Sequence, residues 1–117
     1  MDTKWFYFDQ NNSGGGFVHN PEDGIGCGLF IEAMNKDHAC DRAERIGLYF
    51  GGTSTGEDCS CCGDRWGTPW DDGQDKPTRY NEEWRPAAEG ENPDTEWSIP
   101  LYIHYIGGEF KAAKKVA

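Results

Sequence analysis

Cys27-Gly-Leu-Phe-Ile-Glu-Ala33, followed through Met34-Asn35 by Lys36-Asp-His-Ala-Cys-Asp-Arg-Ala-Glu-Arg-Ile46, is the stretch on which the fold class turns. In its first part Leu29 and Ile31 fall on one side of an extended chain and Phe30 on the other, as in a strand. Asn35 then stands where a side-chain oxygen can accept a free N–H of a first helical turn, which predicts a helix over Lys36–Ile46. Ala39, Ala43 and Ile46 form one stripe of that helix with Cys40 beside it, while Asp37, Asp41, Arg42, Glu44 and Arg45 cover the rest. Small residues on the stripe let the helix sit close to a sheet, and Gly47 is a natural stop.

Working outward, Lys4-Trp-Phe-Tyr-Phe8 is rich in residues that suit a pleated surface and reads as a strand. It runs into Asp9–Gly16, a loop without an apolar residue. Phe17-Val-His19 reads as a second short strand, ended by the turn chemistry of Asn20-Pro21 and Asp23-Gly24. Leu48-Tyr-Phe50 gives a short apolar strand or hook after the helix. From Gly51 to Ser98 periodicity disappears, and so long a segment must be pinned by docked tryptophans, a metal, a partner subunit or a ligand. Its acidic part, Glu89–Asp94, is the expected mobile tip. Ile99–Ile106, Gly107-Gly108 and Glu109–Lys111 read as a hairpin with a two-glycine turn. The order predicts one α+β domain over residues 1–117, a mostly antiparallel sheet with one main helix packed on it.

Composition narrows the function. The 117 residues carry 21 Asp and Glu against 11 Lys and Arg, a formal net charge of −10. Duplex nucleic acid is excluded as a partner, because its binding runs on Lys and Arg neutralising phosphates. The 14% aromatic share argues for a packed core despite low overall hydrophobicity. Met1-Asp2-Thr3-Lys4 lacks the features of a signal peptide, and no apolar run approaches the ~20 residues that cross a bilayer, so a cytoplasmic protein without membrane contact is expected. The 5 cysteines are an odd set, with Cys59, Cys61 and Cys62 crowded together; reduced thiols or a metal site suit them better than disulfides.

Three constellations bear on chemistry. In Gln10-Asn-Asn-Ser-Gly-Gly-Gly16, glycines let backbone N–H groups converge on an anion, while amides can read a base edge or a ribose. Gln10, Asn11, Asn12, Ser13, Gly14 and Gly15 are therefore candidate ligand contacts; the bland alternative is a loop held by local turn bonds. In Asp58-Cys-Ser-Cys-Cys-Gly-Asp-Arg-Trp66, Cys59 and Cys62 have the spacing that lets two thiolates meet one zinc ion, with Cys61 adjacent. The alternative is a set of buried thiols in a glycine-rich turn. In the third, Arg65 can fork onto a phosphate while Trp66 or Trp70 stacks on a base. Against that stands an Arg65 paired with a neighbouring aspartate and tryptophans placed in the core. The carboxylates Asp71, Asp72, Asp75, Glu82 and Glu83 match no EF-hand spacing and read as a solvated surface.

Trp5-Phe-Tyr-Phe-Asp-Gln-Asn-Asn-Ser-Gly-Gly15 and Asp58–Trp66, as a pair, resemble the two signatures of a family of small bacteriophage proteins of unknown function. The resemblance takes in the helix before Gly47 and the Leu48–Gly52 stretch, and it implies no activity. In size and phage-like character alone the chain is also similar to viral sponge proteins that sequester cyclic nucleotide immune signals, an analogy rather than a motif match. Together these readings predict a non-enzymatic nucleotide-binding module, an anti-defence protein that sequesters a cyclic nucleotide-type signal. Its partner would be a small anionic nucleotide held by local donors in a closed pocket, shared across a homo-oligomer interface. No cofactor is required, with zinc at Cys59, Cys61 and Cys62 as the one metal the sequence suggests. Two other classes stay open: an acidic inhibitor that binds a host protein by mimicking nucleic acid, and a zinc-stabilised structural protein.

Overall fold

A computed structural model of the chain describes residues 2–11, 16–58 and 63–116. Strand β1 (Lys4–Asp9) pairs antiparallel with β2 (Gly28–Ala33) in a register that sets Phe6 opposite Ile31 and Phe8 opposite Leu29. Successive strand residues alternate between faces, so these four side chains go to one side and the opposed Tyr7 and Phe30 to the other. Both sides are covered. One cluster joins Phe6, Phe8, Leu29 and Ile31 to Leu48, Trp66 and the small Ala39 and Ala43 of α1 (Lys36–Ile46). A second joins Phe30 to Trp84, Leu101, Ile103 and Ala113, with Trp5 and Tyr7 packed against it. Burial on both faces is why this strand carries an unbroken Leu29-Phe-Ile31 run.

The chain continues through α2 (Gly52–Thr55), β3 (Thr78–Arg79), β4 (Glu82–Pro86), β5 (Thr95–Glu96), β6 (Ile99–Pro100), β7 (Tyr102–His104) and β8 (Phe110–Lys115). Six of the strands form one sheet in the order β1-β2-β7-β8-β4-β3, while β5 and β6 pair separately. The β2–β7 pair is parallel and the others are antiparallel. The sheet curls until its edge strands nearly meet: Trp5 of β1 exchanges backbone hydrogen bonds of 2.8 and 2.9 Å with Gln74, just ahead of β3. The rings of Tyr7 and Tyr80, the latter just after β3, lie 6.4 Å apart. The result is a barrel-like sheet, not quite closed, with the second cluster inside it.

The expected α+β fold, with one main helix packed on the sheet, is therefore corrected to a mostly β architecture. Helix α1 has the bounds its signals set: Asn35 accepts from the His38 N–H at 2.8 Å, and the Gly47 N–H reaches the Ala43 and Glu44 carbonyls. It is 11 residues long, however, and α2 only 4. Strands β3 to β5 lie inside the segment that shows no periodicity. Strands of 2 residues are too short to show any, and their hairpin turns lack the usual glycine. Tyr80-Asn81 (φ 52° and 65°) and Trp97-Ser98 (φ 54° and 64°) take the left-handed conformation without it. Phe17–His19 forms no strand; of the two alternatives for Leu48–Phe50 the hook holds, with Leu48 in the first cluster and Phe50 packed against it. The expected final hairpin pairs only from Tyr102 onward, with Gly107-Gly108 in its turn. Glu89–Asp94 is tethered rather than a loose tip: Glu91 accepts two Arg85 hydrogen bonds of 2.7 and 2.8 Å, and the Asp94 N–H meets the Ala113 carbonyl. Among the described residues no helix is long and apolar enough to cross a membrane.

Candidate functional site

The two motifs do meet in space. Gln10 is buried, its Nε2 donating to the carbonyls of Val18 (3.1 Å) and Gly26 (2.6 Å). Its Oε1 accepts the Val18 N–H (2.6 Å) and Arg65 Nη1 (3.0 Å). The same Nη1 donates to the Gly16 carbonyl at 2.8 Å, and the Arg65 N–H to Asp58 Oδ2 at 2.8 Å. Asp58, buried, also accepts the Tyr49 hydroxyl at 2.9 Å. Asn11 donates its N–H to the Arg65 carbonyl (2.7 Å) and its Nδ2 to that of Asp64 (3.3 Å). These contacts make a clasp between two loops, with Gln10 and Arg65 bonded to protein atoms. Trp66 is 3% exposed and belongs to the first cluster with Phe6 and Phe8, so its indole packs in the core. Asn12, Ser13, Gly14 and Gly15, like Cys59, Cys61 and Cys62, lie outside the described residues. Cys27 and Cys40 are free thiols, the former pushed up to about 11 by burial. Among the described residues no three His, Cys, Asp or Glu side chains are grouped to hold a metal.

Trp70 differs from Trp66: it is 99% exposed and borders a cavity of about 280 Å³. The cavity sits at the seam of the curled sheet. The chain from Trp66 to Gln74 is fastened to β1 at both ends, by the Gln10–Trp66 bridge and the Gly67 N–H to the Asp9 carbonyl at one, and by the Trp5–Gln74 pair at the other. Between these attachments it leaves β1, and the space opens against Tyr7 and Asp9, two neighbours on one strand face. The β3–β4 turn supplies the far wall with Arg79, Tyr80 and Asn81. Gly28 opposite Asp9 makes room, since an added Cβ would run into the Tyr7 hydroxyl.

Arg79 holds this wall together. Its side chain is only 9% exposed and forks onto both carboxylate oxygens of Glu96, the Nη2–Oε2 bond measuring 2.8 Å. The guanidinium carbon lies 5.4 Å from the centre of the Tyr7 ring and 4.7 Å from that of Tyr80. Burial is the largest single effect and works against the cation, but the Glu96 hydrogen bonds, the Glu96 charge and the two tyrosines together outweigh it and raise the Arg79 pKa. The same bonds hold the Glu96 carboxyl below its ordinary range. Burial, reinforced by Asp9, drives the Tyr7 pKa upward, so its hydroxyl stays a donor and reaches Asp9 Oδ1 at 3.1 Å. Tyr80 donates to Asp9 Oδ2 at 3.4 Å. Asp71 accepts the Gly73 N–H (3.0 Å) and Gln74 Nε2 (2.9 Å). The arrangement offers a flat ligand three aromatic side chains and, at their rim, carboxylate acceptors.

Sequence reasoning singled out Trp70 and missed Tyr7, Asp9, Arg79 and Tyr80. The alternation of Tyr7 and Asp9 on one predicted strand was a usable signal for those two. Nothing local marks Arg79 or Tyr80, which arrive through the curl of the sheet. A family model described as a domain of unknown function (DUF7296) matches residues 3–115, and the chain belongs to that family. No curated protein and no solved structure matches it.

Proposed function

We propose that this member of the DUF7296 family is a non-enzymatic module that captures a nucleobase-bearing small molecule in the cavity between β1 and the β3–β4 turn. The grouping of Tyr7, Trp70 and Tyr80 around one space is the observation that carries this reading. Stacking a base on an aromatic side chain is worth ~1–3 kcal/mol. A volume near 280 Å³ suits one base rather than a whole dinucleotide. Phosphates stay outside, because Asp9, Asp71 and the net charge of −10 oppose an anion at depth. The analogy in size and character with viral sponge proteins suggests retention of a nucleotide signal, without turnover, as the setting for such a pocket.

Titration with nucleosides, nucleoside monophosphates and cyclic dinucleotides, followed by tryptophan fluorescence and calorimetry, tests this. Saturable quenching that Trp70→Ala abolishes, with melting unchanged, is the expected result. Flat titrations across the panel would refute the proposal.

A further inference from the structure

We infer that the cavity selects a base whose edge presents adjacent N–H donors, as guanine does with N1–H and its 2-amino group, and that Asp9 reads that edge. The inference rests on the base-capture reading above. Its ground is the placement of the Asp9 carboxylate on the cavity wall, between two phenol hydroxyls. Arg79 turns one N–H of Nη1 and one of Nη2 onto Glu96, and Gln74 Nε2 gives one to Asp71. The Tyr7 and Tyr80 hydroxyl protons point at Asp9.

Asp9 is a well-placed acceptor. It ends β1, where its backbone is fixed by pairing with Gly28 and by the Gly67 N–H. One phenol hydroxyl addresses each of its oxygens, at 3.1 and 3.4 Å, which orients the carboxylate without filling it. Each carboxylate oxygen can accept a second hydrogen bond. Two parallel N–H groups can then meet the two oxygens as a fork, the arrangement that makes charged hydrogen bonds strong and directional. Adenine presents an amino group beside an acceptor nitrogen, so one arm of the fork becomes a contact between two lone pairs. Aromatic faces do not tell one purine from the other, which leaves Asp9 to discriminate.

The test compares guanosine, adenosine and 1-methylguanosine on the whole chain by calorimetry, with Asp9→Asn as the variant. Guanosine should bind about tenfold tighter than adenosine, the factor one well-made charged hydrogen bond supplies. Methylation at N1 should cancel that advantage with the protein untouched, and Asp9→Asn should bring the guanosine-to-adenosine ratio near one. Equal affinities in the natural protein would overturn the selectivity while leaving base capture standing. A guanosine preference that survives N1 methylation would overturn the role given to Asp9. Failure of all three nucleosides to bind would remove both this inference and the reading beneath it.

Discussion

Replacing Glu96 by Gln isolates the interaction that ties the β5–β6 hairpin to the cavity wall. The change keeps shape and one hydrogen-bond acceptor but removes the charge facing Arg79. A buried cation that loses its partner costs ~3–5 kcal/mol. Here Arg79 is 9% exposed but Glu96 is 41% exposed, so solvent already screens part of the pair. The expected loss is about 1–2 kcal/mol. With a urea dependence of ~1–3 kcal/mol per molar, the unfolding midpoint should fall by roughly 0.5–1 M at neutral pH. Adding Arg79→Met to Glu96→Gln should restore part of that loss, since the stranded charge is then gone. The pH dependence has a definite sign. The Glu96 carboxyl titrates below its ordinary 4.5 in the folded chain, so its contribution is complete above that pH and fades as pH falls through the depressed value. The gap between natural protein and variant should accordingly narrow in acid. An unchanged midpoint at neutral pH, or a gap that does not shrink in acid, would refute the reasoning.

The two tryptophans should separate cleanly in chemical denaturation. Trp66→Ala removes a core side chain and should cost ~3–5 kcal/mol, whereas Trp70→Ala should stay within about 0.5 kcal/mol. His104 is buried, bonded to the Gly24 carbonyl at 2.7 Å, and its pKa is lowered, chiefly by burial. Stability should therefore be full above the unfolded value of 6.5 and fall below it by up to ~1.4 kcal/mol per pH unit, and His104→Gln should flatten melting temperature against pH across that window. Ser98 holds φ 64° in the β5–β6 turn, so Ser98→Gly should raise stability by about 0.5–1 kcal/mol, read as a higher melting temperature.

What was legible was local. Asn35 and Gly47 announce the ends of α1 because capping depends on neighbours a few positions away. The strands at Lys4–Asp9 and Gly28–Ala33 announce themselves through aromatic and branched residues. What was not legible depends on distant partners: β3 and β5 are strands only because Glu82–Glu83 and Ile99–Pro100 lie beside them. The fold class was misread for that reason, since one well-capped helix stands out in sequence more than four short strands do. For the site, Gln10 and Asn11 do approach Arg65, yet the accessible cavity lies at the sheet seam with Trp70. Tyr7 and Asp9 share a strand face, but only the return of the final strands brings Tyr80 over them.

The parallel contact between β2 and β7 sets Leu29 beside Tyr102 in the interior of the sheet. A chain leaving the ribosome can close the β1–β2 hairpin early, but that hairpin has a bare edge until the residues of β7 emerge. Joining ends so far apart is entropically slow, and an unpaired apolar edge invites pairing with other nascent copies. The molecule gains the interior of its sheet only once β7 has been made, and until then that side of β2 stays open.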